Sequence, residues 1–392
     1  MASKLLAAAM AVAAAGAIGG CGSASVVAVT ESSAGAYEPS LAAFRDGLAV
    51  AWYDTRDGHG EIYQRALDAD ATLAGPEIRL TTGVNDAYEA DIQPAEGIAG
   101  GDGLLVGWYE KVGSGHLVPR LGLWSRNGAA RWIRTLASAG RNVVVRVRGE
   151  TVFAAWVQDE ASPRAGVWAG WWNVSGEPIV APRRLADAGK TTYNLNAAFG
   201  PEQAHGMPEA LVVFDATAGT KAEELFLVED DGAVARVTRL TRDDGLASKY
   251  PDLAVSGTRA ALTWFDARNG NDEVYLTVRP LASLSQPDGL VGTRVTTSPG
   301  HSIGAYAAWN GDRLGLAWCD DTPGQHEIYF QDYDATGAPL AAARRLTETP
   351  TASLIPTIRP WRAGFALVWN EYQGASGHDE EGRSQVVVRL VP

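Results

Sequence analysis

Short, nearly unbroken apolar runs set the rhythm of this chain, among them Leu48 to Trp52, Ala260 to Trp264 and Leu314 to Trp318, and each stops at a Gly- and Asp-rich turn. They are too short for helices, and their continuous apolar character predicts strands covered on both faces. Three of the runs extend into matching stretches of unchanged spacing: Ala51-Trp-Tyr-Asp-Thr-Arg-Asp-Gly-His-Gly-Glu-Ile-Tyr63, Thr263-Trp-Phe-Asp-Ala-Arg-Asn-Gly-Asn-Asp-Glu-Val-Tyr275 and Ala317-Trp-Cys-Asp-Asp-Thr-Pro-Gly-Gln-His-Glu-Ile-Tyr329. Each predicts a strand, a tight polar loop and a second strand.

Weaker copies fill the gaps, because an aromatic ends an apolar run at Trp52, Trp108, Trp156, Phe214, Trp264, Trp318 and Trp369. A spacing near fifty residues with four short strands per unit predicts radially stacked sheets, since one such unit cannot bury both faces alone. The expectation is an all-β, seven-bladed β-propeller of four-stranded antiparallel blades. Outer strands read Arg79-Leu-Thr81, Arg239-Leu-Thr241, Arg294-Val-Thr296 and Arg345-Leu-Thr347. The last unit ends after a third strand at Gln385 to Leu390, while the β-branched stretch Ser25 to Thr30 has no partner in the first. This N-terminal strand is expected to close the ring and cover an open edge.

The first twenty residues change the picture of where the chain works. They carry one cation, Lys4, then an Ala-rich apolar run from Leu5 to Ile18, and lead into Ile18-Gly-Gly-Cys21. This resembles a bacterial lipoprotein signal, with residues 1–20 removed, Cys21 lipidated and residues 21–24 a short tether before a single propeller domain at 25–392. The alternative is an ordinary secretory signal beside a coincidental Cys. Gly22 follows Cys21, so in a Gram-negative cell the resemblance implies export to the outer membrane, with the lipid anchor as the membrane contact. Only Cys319 would then remain as a thiol, and it reads as a small buried hydrophobe.

Charge narrows the partners. A formal net charge of −13 with no basic cluster excludes nucleic acid as the expected ligand and leaves an envelope protein or a glycan. Thirteen Trp are compatible with glycan stacking, but the repeated ones sit at fixed strand positions and read as core. Trp124, Trp132, Trp168, Trp171 and Trp172 lie outside that pattern and are candidates for surface contacts.

Two sets of polar residues compete for the chemistry. The strand two-to-three loops gather Asp54, Arg56 and Glu61, Asp266, Arg268 and Glu273, and Asp320 and Glu327 on one face, here called upper. Glu110, Glu371 and, nearby, Asp215 fall at or close to the Asp position. A device copied into several blades reads as structural, with each Asp capping its loop and pairing with the Arg two residues on. The unrepeated positions around the axis are the better ligand candidates: Tyr37 and Glu38, Tyr88 and Glu89, Asp91, Arg141 and Asn142, Asn194 after Tyr193, and Lys249 after Ser248, with Glu38, Glu89 and Asp91 as an acidic corner. Apolar Ile303-Gly304 and Leu354-Ile355 complete the rim. No metal-ligand spacing, phosphate loop or nucleophile order stands out, so no catalytic residue, metal or cofactor is expected.

The Trp-x-Asp-x-Arg-x-Gly-x-x-Glu-Ile-Tyr pattern, with Tyr37-x-Pro-Ser40 before it and Arg-Leu-Thr after it, resembles bacterial sialidase-like repeat propellers over nearly the whole chain. The resemblance implies a turn between strands three and four carrying Ser-x-Asp-x-Gly-x-Thr-Trp, where this sequence has Leu67-Asp-Ala-Asp-Ala71 and Tyr333-Asp-Ala-Thr-Gly337. It also implies three converging arginines, a Tyr nucleophile with a Glu partner and an acid-base Asp, and the rim offers only Arg141 and Lys249 as cations. The leading expectation is therefore a lipid-anchored, non-catalytic propeller that displays a binding surface. The rivals are a glycan-active hydrolase using Glu38, Glu89 or Asp91, and an envelope scaffold of the TolB-like kind.

Overall fold

The computed structural model describes residues 25–31, 35–158, 165–189, 194–203, 206–287, 289–373 and 383–392. Cys21, the leader at residues 1–20 and the tether lie outside the described residues, as does Tyr193. Seven four-stranded antiparallel sheets form a propeller ring, and in six of them the strands follow chain order from the innermost outward. Blades 1 to 6 span residues 36–79, 86–135, 141–186, 195–239, 248–294 and 302–345. In blade 7, strands Ser353–Trp361, Gly364–Gln373 and Arg383–Val391 are completed by Val27–Ala28.

That closure joins the two segments expected to meet, the N-terminal stretch and the third strand of the last blade. Val27 pairs with Val388 and Ala28 with Val387, and Val29 N–H donates to the Val386 carbonyl at 2.8 Å. The strand proper is Val27–Ala28, and contact with the edge continues past it, since Thr30 Oγ1 accepts the Val386 N–H at 3.1 Å.

The continuous apolar strands have a simple cause. Each hydrophobic cluster joins two neighbouring blades, and the repeated aromatic is the wedge between them. Trp52 packs with Trp361, Val368 and Val386 of blade 7, and Trp264 packs with Leu211 and Leu225 of blade 4. Phe214 meets Phe153 and Trp171 of blade 3, and Trp369 meets Ala317 and Phe330 of blade 6. Such wedges are fully buried, each worth roughly 1.5 to 3 kcal/mol of transfer free energy. Trp124, Trp171 and Trp172 are also buried, so the proposed surface contacts reduce to the partly buried Trp132 and Trp168. Cys319 is buried and free, and burial pushes its thiol up to about 12.

The repeat motif is a hydrogen-bonding frame at the upper rim of blades 1, 5 and 6. The Trp52 indole donates to Asp54 Oδ2 at 3.1 Å, while Asp54 Oδ1 accepts Arg56 N–H and Oδ2 pairs with the Arg56 guanidinium. In blades 5 and 6 the same carboxylate takes a serine hydroxyl, Ser248 to Asp266 at 2.8 Å and Ser302 to Asp320 at 2.7 Å. Trp264 and Trp318 lose their indole acceptor to that exchange. The following Glu is fully buried and locked by the outer strand: Glu61 by Arg79 and Thr81, Glu273 by Arg294 and Thr296, Glu327 by Arg345. At the lower turns Asp68, Asn173 and Asp334 each accept two backbone N–H groups, so a side-chain-capped turn stands where the sialidase-like sequence motif is missing.

The described residues contain one short helical turn, Leu281–Ser283, and no helix among them is long and apolar enough to cross a membrane.

Candidate functional site

Six of the seven inner strands carry a bulge at one register position, and there the backbone turns left-handed: Glu38 (φ 51°), Glu89 (48°), Asn142 (51°), Tyr250 (53°), Gly304 (60°) and Ile355 (59°). Only at Gly304 is that conformation free of side-chain strain. The register shifts fall between Tyr37 and Ser40, Tyr88 and Asp91, and Lys249 and Asp252. Bulges re-aim side chains at the rims of closed sheets, and here they place an unrepeated residue at the channel mouth in each of these six blades. Blade 4 pairs without a shift from Leu195 to Phe199.

This register corrects three expectations. Lys249 occupies the Tyr37 position and Tyr250 the Glu38 position, so the rim residue of blade 5 is Tyr250, while Lys249 Nζ lies 3.9 Å from Glu223. Asn194 likewise matches Tyr37, and Asp215 sits at the position of Tyr53 rather than Asp54, where it accepts Tyr250 N–H at 2.9 Å. Asp91 is not part of a rim corner with Glu38 and Glu89. It lies one step deeper and pairs with Arg146 at 2.8 Å. Only the Asp91 displacement follows from a bulge, the one between Tyr88 and Asp91, while Lys249 and Asn194 are placed by their pairing opposite Phe265 and Asp215.

What the structure brings together at the mouth is a tyrosine arc across blades 7, 1 and 2. Ring centroids run Tyr372 to Tyr37 at 6.4 Å, Tyr37 to Tyr53 at 5.2 Å, Tyr53 to Tyr88 at 5.2 Å and Tyr88 to Tyr109 at 5.8 Å. The Tyr109 hydroxyl donates to Glu89 Oε1 at 2.7 Å. Burial raises the phenols of Tyr53 and Tyr109, and the Glu38 and Glu89 carboxylates raise both further. Glu38 and Glu89 therefore share one electrostatic neighbourhood with the arc. On the opposite side Arg141 donates to Asn142 Oδ1 at 3.1 Å, and Tyr250 stacks on Phe265 at 5.3 Å.

Below the mouth the channel holds a cavity of about 80 Å³ lined by Ser40, Asp91, Arg146, Asn196, Asp252 and Tyr306, with Thr357 and Arg359 from blade 7. A polar chain runs round half of it. Arg146 joins Asp91 to the Asn196 side-chain oxygen, the Asn196 amide donates to Asp252, and Asp252 Oδ2 accepts Ala307 N–H at 2.8 Å. Among the described residues no group of three or more His, Cys, Asp or Glu is disposed to hold a metal.

Sequence reasoning missed Tyr53, Tyr109, Tyr372 and, apart from Asp91, the lower cavity. One signal was available: the residue after each repeated aromatic varies as Tyr53, Tyr109, Val157, Asp215, Phe265, Cys319 and Asn370, while its neighbours repeat.

No protein-family model matches the sequence, and no curated protein matches it. Among solved structures the chain is similar to a PL25 ulvan lyase bound to -[GlcA(1-4)Rha3S]-, at a TM-score of 0.55 and 9% identity over 91% of this chain and 94% of that one. It is similar to the Pyrococcus horikoshii acylaminoacyl peptidase at a TM-score of 0.50 and 8% identity over 91% of this chain, which spans 52% of that one. A GH43 endo-arabinanase from Bacillus licheniformis matches at a TM-score of 0.37 and 13% identity over 63% of this chain and 92% of that one, too distant to carry weight. At these identities the likeness is one of propeller fold. Glycan-active enzymes stand among the neighbours.

Proposed function

We propose that the chain is a glycan-active propeller, a glycoside hydrolase working at its upper channel mouth through Glu38 and Glu89. The observation that carries this reading is the arc of five tyrosines with two carboxylates set into it at equal register on adjacent blades. Aromatic faces stack on sugar rings, and a hydrolase of this kind needs two carboxyl groups facing one pocket. The Tyr109 to Glu89 hydrogen bond adds a phenol already held by a carboxylate. The propeller shared with an ulvan lyase is compatible with the reading and is an argument from fold alone.

The test is hydrolysis of a panel of polysaccharides and aryl glycosides. Glu38→Gln and Glu89→Gln should each lower turnover by about a hundredfold or more with an unchanged melting temperature. Binding of a glycan without any product would return the mouth to the display role expected from the sequence, and no binding at all would remove the glycan reading.

Export and anchorage belong to the same proposal. Lipidated Cys21 would hold the ring against an envelope membrane, because three residues before Ser25 reach only about 10 to 14 Å. Val27–Ala28 takes the fourth-strand place, which runs from the lower face to the upper one, so the mouth would point outward.

A further inference from the structure

Two opposite charges line the lower cavity without meeting. Arg359 and Asp252 both face it, yet no ion pair joins them. The Arg359 guanidinium makes a single hydrogen bond, Nη1 to the Ile358 carbonyl at 2.9 Å, out of five N–H donors. Asp252 accepts the Asn196 amide on Oδ1 and the Ala307 N–H on Oδ2, with the Leu253 N–H contributing as well, and a carboxylate with about four lone-pair sites keeps room for a further donor. Burial lowers the Arg359 pKa and raises that of Asp252, the cost expected of charges separated in a poorly hydrated space.

The rest of the cavity is balanced. Asp91 and Arg146 neutralise each other directly, and Arg359 and Asp252 cancel in sum, so a charged ligand would unbalance the site. Ser40, Thr357 and Tyr306 add hydroxyls. The volume holds roughly five to eight waters, enough for the hydroxyl-bearing edge of one sugar ring. Tyr306 lines this space, and its phenol is raised first by burial and then by Asp252, Tyr250, Cys319 and Glu38.

We propose that the lower cavity is a subsite for one uncharged terminal sugar residue, with adjacent hydroxyls donating to Asp252 and accepting from Arg359, so that the mouth acts on glycan chain ends. The claim rests on the glycan-active reading and sharpens it: the glycan enters end first and its leading residue is neutral.

Calorimetric titration of the purified full-length protein with free monosaccharides tests it, using neutral pentoses and hexoses against glucuronate and glycine. At least one neutral sugar should bind saturably at one site, and Arg359→Gln should weaken it by about tenfold or more, about 1.4 kcal/mol. Asp252→Asn should do the same; if that variant loses its fold with the Ala307 contact, Arg359→Gln decides alone. Failure of every neutral monosaccharide to saturate in the millimolar range overturns the subsite, as does a preference for glucuronate or glycine over all neutral sugars. Oligosaccharide hydrolysis without monosaccharide binding would sink this inference and spare the mouth. Monosaccharide binding without any hydrolysis would do the reverse.

Discussion

Glu38 and Asn370 meet across the seam of the ring, the Glu38 backbone N–H donating to Asn370 Oδ1 at 2.9 Å across a sequence separation of 332 residues. The same amide donates to the Ala36 carbonyl at 2.8 Å and to the Ser384 hydroxyl at 2.7 Å. One buried side chain thus ties the last blade to the first and fixes the bulge that carries a candidate catalytic carboxylate. Asn370→Ala leaves these groups unmatched and should cost about 1 to 3 kcal/mol, read as a lower melting temperature. Glycan turnover should fall with it; an unchanged melting temperature would show the seam is held elsewhere.

Deleting residues 25–30 removes the partner of Arg383–Val391 and bares a long strand edge. The variant should aggregate or melt at lower temperature. A monomer with unchanged melting behaviour would mean that Val27 and Ala28 contribute nothing to closure.

The architecture was legible because the same aromatic wedge recurs in every blade, and a packing need imposed at each interface must write itself into the sequence at a constant interval. The closure was legible for a related reason: a β-branched stretch without a partner matched a blade lacking a strand. The site was only half legible. Tyr37, Glu38, Tyr88 and Glu89 came from their unrepeated character, but strand pairing sets Lys249 and Asn194 one place from the rim position, and the bulge after Glu89 sends Asp91 down the channel to Arg146. Arg359 and Asp252 belong to strands of different blades, and only ring geometry brings them to one cavity.

Asp266 should act on stability and Glu38 on function. Burial opposes ionisation of Asp266, yet hydrogen bonds from Arg268 and Ser248 win and hold its carboxyl below the usual range. A depressed carboxylate stabilises above its unfolded pKa, and that contribution is lost as pH falls through the folded value. Asp266→Ala should therefore cost about 1 to 3 kcal/mol at neutral pH and less in acid, whereas Glu38→Ala should leave the melting temperature nearly unchanged. The opposite pattern would place the repeat motif at the active surface.

The orientation on a membrane can be read from two labelled cysteines. Asp57 lies on an upper loop, and Asp70 on a lower turn where it pairs with Arg362 at 2.7 Å. If Cys21 anchors the ring from below, a lipid quencher should act more strongly on a label at Asp70 than on one at Asp57. Stronger quenching at Asp57 would turn the mouth toward the membrane and contradict the outward display.

Glu224 offers a test by pH of the frame that blades 1, 5 and 6 complete with arginine. It occupies the place of Glu61 and Glu273, but its carboxylate bonds only the Thr241 hydroxyl, at 2.5 Å. Burial pushes its pKa up to about 7 from 4.5. A raised carboxylate favours the protonated folded state, so its contribution is intact below the unfolded value near 4.5 and is lost as pH climbs through about 7. Glu224→Gln keeps an acceptor for Thr241 and removes the buried charge. The variant should melt above the wild type at pH 8, by up to about 3 kcal/mol in stability, with the gap shrinking toward zero near pH 5. A gap that does not vary with pH would mean that the charge on Glu224 is already compensated in the folded ring.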